Sequence, residues 1–177
     1  MPITDSNAPA RLSQLPALAE SGSVNAIIET PKGSRAKFKF DEKLGVMAFD
    51  KVLPLGFSFP YDFGFIPSTR GEDGDPLDIL LMLDFPLPTG TLIEVKLVGV
   101  LEAEQTEDDG KTVRNDRLLG VPAVTSARGE PLTDRIFEEI EAFFIDYDRR
   151  FGKEFKPLRR GDAQTALELV KQGQSPA

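Results

Sequence analysis

A change of period near residue 125 sets what this 177-residue chain can fold into. Before it, apolar residues alternate with polar ones or come in short runs. After it, Ile136, Phe137, Ile140, Phe143, Phe144 and Tyr147 recur at helical spacing. Alternation marks half-buried strands, whereas spacings of three and four mark a helix with one apolar face. Fourteen prolines and fifteen glycines, spread along the chain, cut the first part into short pieces joined by turns. Val24–Thr30 is β-prone and stops at Pro31-Lys32-Gly33-Ser34. Ala36–Phe40 alternates, with Phe38 and Phe40 on one face and Lys37 and Lys39 on the other. Asp41–Gly45 reads as a hairpin turn into Val46–Asp50, and Ile79–Leu83 as a buried strand. Thr91–Glu104 reads as a long strand with a bend or bulge at Gly99, and Thr112–Arg114 and Arg117–Val121 as further strands. A helix over about 133–150, ended by Gly152, and a second over Asp162–Lys171 complete the pattern. Residues 1–22 read as a loose lead-in with a short helix at Leu15–Glu20. Strands followed by helices predict an α+β, mainly β fold with a closed or partly closed barrel. The length predicts one domain over 1–177.

Cysteine and histidine are both absent. That excludes a disulfide framework, a thiolate nucleophile, a Ser-His-Asp triad and imidazole-bound zinc. Any hydrolytic chemistry then falls to carboxylates, Lys, Arg, Tyr, hydroxyls or a metal held by hard oxygen ligands, such as Mg²⁺, Mn²⁺ or Ca²⁺. The net charge of −8 argues against nucleic acid and anionic membranes as partners. No apolar run is long enough to span a membrane, and the N-terminal residues lack the pattern of a secretory signal, so the expected location is cytoplasmic.

The most informative stretch is Gly71-Glu72-Asp73-Gly74-Asp75-Pro76-Leu77-Asp78. Asp73 and Asp75 fall on one side of an extended segment, and Asp78 sits at the mouth of the buried strand. Carboxylates this close repel one another, and a divalent cation is their natural partner. A solvated turn explains the same residues without function. A calcium loop of the EF-hand kind does not fit, because Leu77 and Asp78 stand at the fifth and sixth positions counted from Asp73.

In its wider context this segment resembles the D-x-D-P-x-D signature of the family I soluble inorganic pyrophosphatases. Phe59-Pro60-Tyr61-Asp62-Phe63-Gly64-Phe65-Ile66-Pro67 precedes it, similar to the aromatic segment of that family. Ile28-Glu29-Thr30-Pro31, Lys37–Asp41, Val98–Leu101, Gly120–Pro122 and Phe143–Tyr147 follow the family order over roughly Val24–Arg150. The resemblance implies an OB-like five-stranded β-barrel with flanking C-terminal helices. It also implies hydrolysis of inorganic diphosphate to two orthophosphates, with several Mg²⁺ per site, Mn²⁺ being an alternative, and a homo-oligomer. By the same resemblance Asp73 and Asp78 are metal ligands, Glu29 holds metal-bound water, and Asp75 accepts a proton from the attacking water. Lys37, Lys51, Arg117 and Tyr147 are implied to bind phosphate oxygens.

Several positions depart from the family pattern. Lys39 stands where a glutamate is usual, Lys51 for an arginine, Phe59 and Phe63 for tyrosines, and Asp148 for a lysine. Gln105 stands for an aspartate, with Glu102, Glu104 and Glu107 as neighbours able to replace it. Asn115-Asp116-Arg117 stands for a D-x-K pair, which makes Asp116 the expected third metal carboxylate and Asn115 its alternative. Reduced or altered activity is the resulting expectation. Action on another small phosphoanhydride, or a pyrophosphatase-fold binding or scaffold protein without catalysis, are the competing readings.

Overall fold

The structure, a computed structural model, describes residues 12–124 and 131–174. The lead-in expected over 1–22 therefore lies partly outside the described residues. Within them, the helix expected at Leu15–Glu20 is absent: a 3₁₀ turn covers Leu12–Gln14, and Leu18 forms a β-bridge with Val24. Pro16 disfavours helical backbone at Leu15. The Asn25 N–H then donates to Ala17 O at 2.9 Å, and Asn25 Nδ2 to Pro16 O at 2.9 Å, which ties the segment down.

Among the described residues, nine strands and two helices follow: β1 Val24–Thr30, β2 Ala36–Asp41, β3 Val46–Val52, β4 Asp62–Phe65, β5 Asp78–Leu81, β6 Leu92–Thr106, β7 Thr112–Arg114, β8 Arg117–Pro122, α1 Asp134–Arg150, β9 Glu154–Asp162 and α2 Ala163–Gly173. β1, β4, β5, β8 and β6 are hydrogen-bonded in that order, and β6 pairs back onto β1, so five strands close a ring. This is the OB-like barrel. β5 and β8 run parallel, the other ring pairings antiparallel. β7 and β9 extend the far half of β6, and β2–β3 form a separate two-stranded ribbon. The bulge expected at Gly99 is a register shift between Leu97 and Gly99 against β8. It lets one 15-residue strand curve around the barrel.

Two strands escape the sequence pattern. β4 is short and buried on both faces, so it shows no alternation. Gly64 is dictated there by space, since a Cβ would stand 2.0 Å from Ile27 O on β1. β9 is charged and contains Pro157, which reads as loop; it lies on the edge of the sheet, where proline is tolerated.

Two cores result. Inside the barrel, Ile28, Ile79, Leu81, Val95, Val100 and Leu118 pack with Ala166 and Val170 of α2. Outside it, α1 lays Phe137, Ile140, Phe144 and Tyr147 on Leu80, Met82, Leu101 and Phe155. Each fully buried ring or aliphatic chain contributes roughly 1.5–3 kcal/mol of transfer free energy. Thr133 caps α1 by accepting from the Ile136 N–H, and Asp162 caps α2 by accepting from the Thr165 N–H. The outer core fixes the C-terminal end of α1, and with it Tyr147, over the barrel mouth.

Candidate active site

A cleft of about 820 Å³ opens between the barrel mouth, the β2–β3 ribbon and the end of α1. Its acidic wall is the 71–78 loop. The loop is folded by its own backbone and side chains: the Gly71 N–H donates to Asp75 O at 2.8 Å, the Gly74 N–H to Gly71 O at 3.1 Å, and the Asp75 N–H to Asp73 Oδ1 at 3.0 Å. Gly74 takes φ +86°, which its position in the turn requires and a side chain would resist. Asp73, Asp75 and Asp78 all line the cleft, with Glu29 of β1 behind them.

These carboxylates are crowded. Burial, then the charge of Asp78, raises Asp73 from its ordinary 3.8 to about 6. Burial raises Glu29 from 4.5 to about 7, against the Phe40 N–H that donates to its Oε1 at 2.7 Å. Burial also pushes Asp78 up, opposed by Arg117. Two of the acids are held by cations of the chain. Lys39 Nζ lies 2.7 Å from Asp75 Oδ2, and Arg117 Nη1 lies 2.8 Å from Asp78 Oδ2.

The opposite wall is cationic and aromatic. Lys37 and Lys51 come from the ribbon, Arg117 from the start of β8, Lys153 from the turn after α1 and Tyr147 from α1 itself. Lys37 Nζ sits 3.6 Å from Asp50 and within 6 Å of the Phe63 and Tyr147 ring centres, at 5.9 and 5.8 Å. Lys51 lies 4.4 Å from the Phe151 ring centre. Arg117 is almost fully buried, with its guanidinium over the Phe144 and Phe155 rings. Among the described residues, three buried side-chain atoms have no hydrogen-bond partner: Arg117 Nε, Tyr147 Oη and Asp148 Oδ2. All three residues line this cleft. Burial raises the Asp148 carboxyl and the Tyr147 hydroxyl above their ordinary ranges.

Glu29, Lys37, Lys51, Asp73, Asp75, Asp78, Arg117 and Tyr147 thus share one cleft, and Asp116 does not. Asp116 Oδ1 accepts from the Ala103 N–H at 2.9 Å, and its carboxylate takes two nitrogens of Arg114. The reason is strand alternation: Arg117 faces the cleft, so its neighbour turns to the other side. Asn115 lines the cleft instead, donating from Nδ2 to Gln105 Oε1 at 3.0 Å. Of the three glutamates near Gln105, Glu107 faces the cleft and pairs with Lys153. Glu102 is taken by Arg159 at 2.7 Å, and Glu104 stands 3.9 Å from Lys156. Lys153 and Asp50 are cleft residues that no sequence motif marks. The residues replacing the usual tyrosines, Phe59 and Phe63, keep the rings, 5.5 Å apart, and bring no hydroxyl.

The fold and the cleft can be set beside known proteins. A family model described as Inorganic pyrophosphatase matches residues 26–176. The chain belongs to the inorganic pyrophosphatase family. Among its relatives, the inorganic pyrophosphatase of Synechocystis is 35% identical over 166 residues, 91% of this chain and 95% of that protein. The one from Sulfolobus acidocaldarius is 42% identical over 151 residues, 84% of this chain and 87% of that protein. The crystal structure of the inorganic pyrophosphatase from Thermus thermophilus superposes with a TM-score of 0.79 at 34% identity. It covers 93% of this chain and 97% of that one.

Pyrophosphatase membership raises the question of a metal. The donor set suits a hard dication: four carboxylates, no sulfur, no imidazole, and proton affinities raised at Glu29, Asp73 and Asp78 that a bound cation would relieve. As they stand, Asp75 and Asp78 are turned toward Lys39 and Arg117. No three acidic side chains among the described residues are gathered closely enough to hold an ion. The residues fit such an ion in kind, and Asp78 would have to release Arg117 to hold it.

Proposed function

We propose that this chain hydrolyses inorganic diphosphate to two orthophosphates as a Mg²⁺-dependent pyrophosphatase, with Mn²⁺ as an alternative ion. The observation that carries the reading is one cleft lined by Asp73, Asp75 and Asp78 together with Lys37, Lys51 and Tyr147, with Arg117 beside Asp78 between the two groups. Asp73 and Asp78 would hold the dications, with Glu29 reaching them through water. Bound dications supply neutralisation of the diphosphate and acidification of water.

The chain's own groups do the rest. Asp75 takes a proton from the attacking water, whose oxygen bonds to one phosphorus as the bridging P–O bond breaks. Lys37, Lys51 and Arg117 stabilise the charge that collects on the departing phosphate, and the Tyr147 hydroxyl donates to a phosphoryl oxygen. The aromatic rings around them lower the local dielectric and strengthen each of these contacts. The same reading has the chain act as a single domain in the cytoplasm and assemble as a homo-oligomer. No described helix is long and apolar enough to cross a membrane.

Phosphate release from diphosphate, with and without Mg²⁺, tests the proposal. Release that needs the metal is expected. Hydrolysis of nucleoside polyphosphates with none of diphosphate would overturn the substrate assignment. No hydrolysis of either would leave a binding protein on a pyrophosphatase fold.

A further inference from the structure

We infer that Lys39 is a built-in counter-ion of the carboxylate wall, which a dication held by Asp73 and Asp78 must displace from neighbouring Asp75. The inference rests on the metal-dependent reading above. Lys37 and Lys39 lie on the same face of β2 yet serve opposite walls: Lys37 turns to Asp50, and Lys39 reaches the 71–78 loop, its Nζ 2.7 Å from Asp75 Oδ2. Lys39 stands opposite Ala48 across the ribbon, and that small neighbour leaves its long side chain a clear path to the loop.

The charges around it favour this placement. Glu29, Asp73, Asp75 and Asp78 line the same cleft, and an ammonium beside them offsets their mutual repulsion in the absence of metal. An ammonium on Asp75 and a dication held by Asp73 and Asp78 on either side of it would repel strongly, so the two compete. The competition is one a dication can win. The Lys39 side chain is 50% exposed and Asp75 53%, so the ion pair is weak, and the flexible stem can swing into solvent. Lys39 therefore keeps the acidic loop closed on the ribbon when metal is scarce and sets the concentration at which metal enters. It acts on metal binding through Asp75, as a positioning residue.

Calorimetric titration of the full chain with MgCl₂ alone, without substrate, tests this in wild type, Lys39→Gln and Lys39→Arg. Lys39→Gln should tighten Mg²⁺ binding about three- to fivefold, the upper part of the range expected for releasing one partly exposed ion pair. Its Mg²⁺-induced rise in melting temperature should grow accordingly. Lys39→Arg, which keeps the charge, should stay within about twofold of wild type. Equal or weaker binding by Lys39→Gln, with wild type binding well, overturns the counter-ion role and leaves the metal site standing. Equal tightening by Lys39→Gln and Lys39→Arg overturns it too, because charge would not then be the cause. Absence of Mg²⁺ binding in every variant overturns both the role and the metal-dependent reading.

Discussion

On the acidic side of the cleft the aspartates already have partners in the chain. Asp73 accepts the Asp75 N–H, Asp75 holds Lys39, and Asp78 holds Arg117. On the opposite side, Tyr147 Oη, Asp148 Oδ2 and Arg117 Nε are buried with no partner among the described residues. Buried polar groups are almost always satisfied, and an orphan costs about 1–3 kcal/mol. The acidic wall is thus arranged to tolerate an empty state. The other wall leaves hydrogen-bonding capacity for a ligand to fill. Arg117 belongs to both, ion-paired to one wall and unsatisfied on the other.

Substitutions can break or sharpen that contrast, and the largest effect belongs to the acidic wall. Asp75→Asn should lower kcat for phosphate release about 10²- to 10⁴-fold with the fold intact, as loss of a general base does. Next comes the residue shared by both walls. Arg117→Met strands Asp78 without its guanidinium and should cost about 3 kcal/mol in urea denaturation, part of it recovered by Mg²⁺.

Glu29 gives a pH-dependent effect of similar size. Its carboxyl is raised from 4.5 to about 7 by burial. Below pH 4.5 it is neutral folded and unfolded, and it contributes no pH dependence. Between pH 4.5 and 7 the unfolded chain loses the proton first, so the stability of the metal-free protein falls as pH rises. The loss approaches about 3 kcal/mol above pH 7. Glu29→Gln should flatten that fall in urea titrations at pH 5 and pH 8. A smaller effect is expected at the unsatisfied wall. Tyr147→Phe should raise KM about tenfold with the melting temperature equal to wild type or higher, because the hydroxyl has no partner in the chain to lose and is costly to bury unpaired. Asp116→Ala marks the lower end: activity within about twofold of wild type, with a modest drop in melting temperature from the lost bond to the Ala103 N–H.

The elements with a clear period were legible in the sequence. β1 and α1 lie where the apolar pattern puts them, and the bend at Gly99 is a real register shift. β4 and β9 were not legible. One is buried on both faces and the other is charged and proline-bearing, and neither condition leaves a period-2 signal. The helix expected at Leu15–Glu20 gave way to hydrogen bonds with Asn25, a tertiary effect that local composition does not carry. The 71–78 loop could be read because its aspartates lie close together in sequence. The site partners that come from distant segments, Asp50 and Lys153, had no local mark. Asp116 fell to strand alternation, and the residue that shares the cleft with Arg117 is Asn115.

β6 bonds to β1, β7, β8 and β9 at once. Few amides on that strand can meet solvent without several neighbours letting go together, so its middle should be among the last parts of the chain to take up deuterium. The β2–β3 ribbon, which carries Lys37, Lys39 and Lys51, has no further strand partner and is tied to β1 only where Phe38 and Phe40 bond the Thr30 and Glu29 side chains, so its outer strand β3 should exchange early. The cleft should therefore join a slowly exchanging face to a faster one, and its lysines ride on the faster.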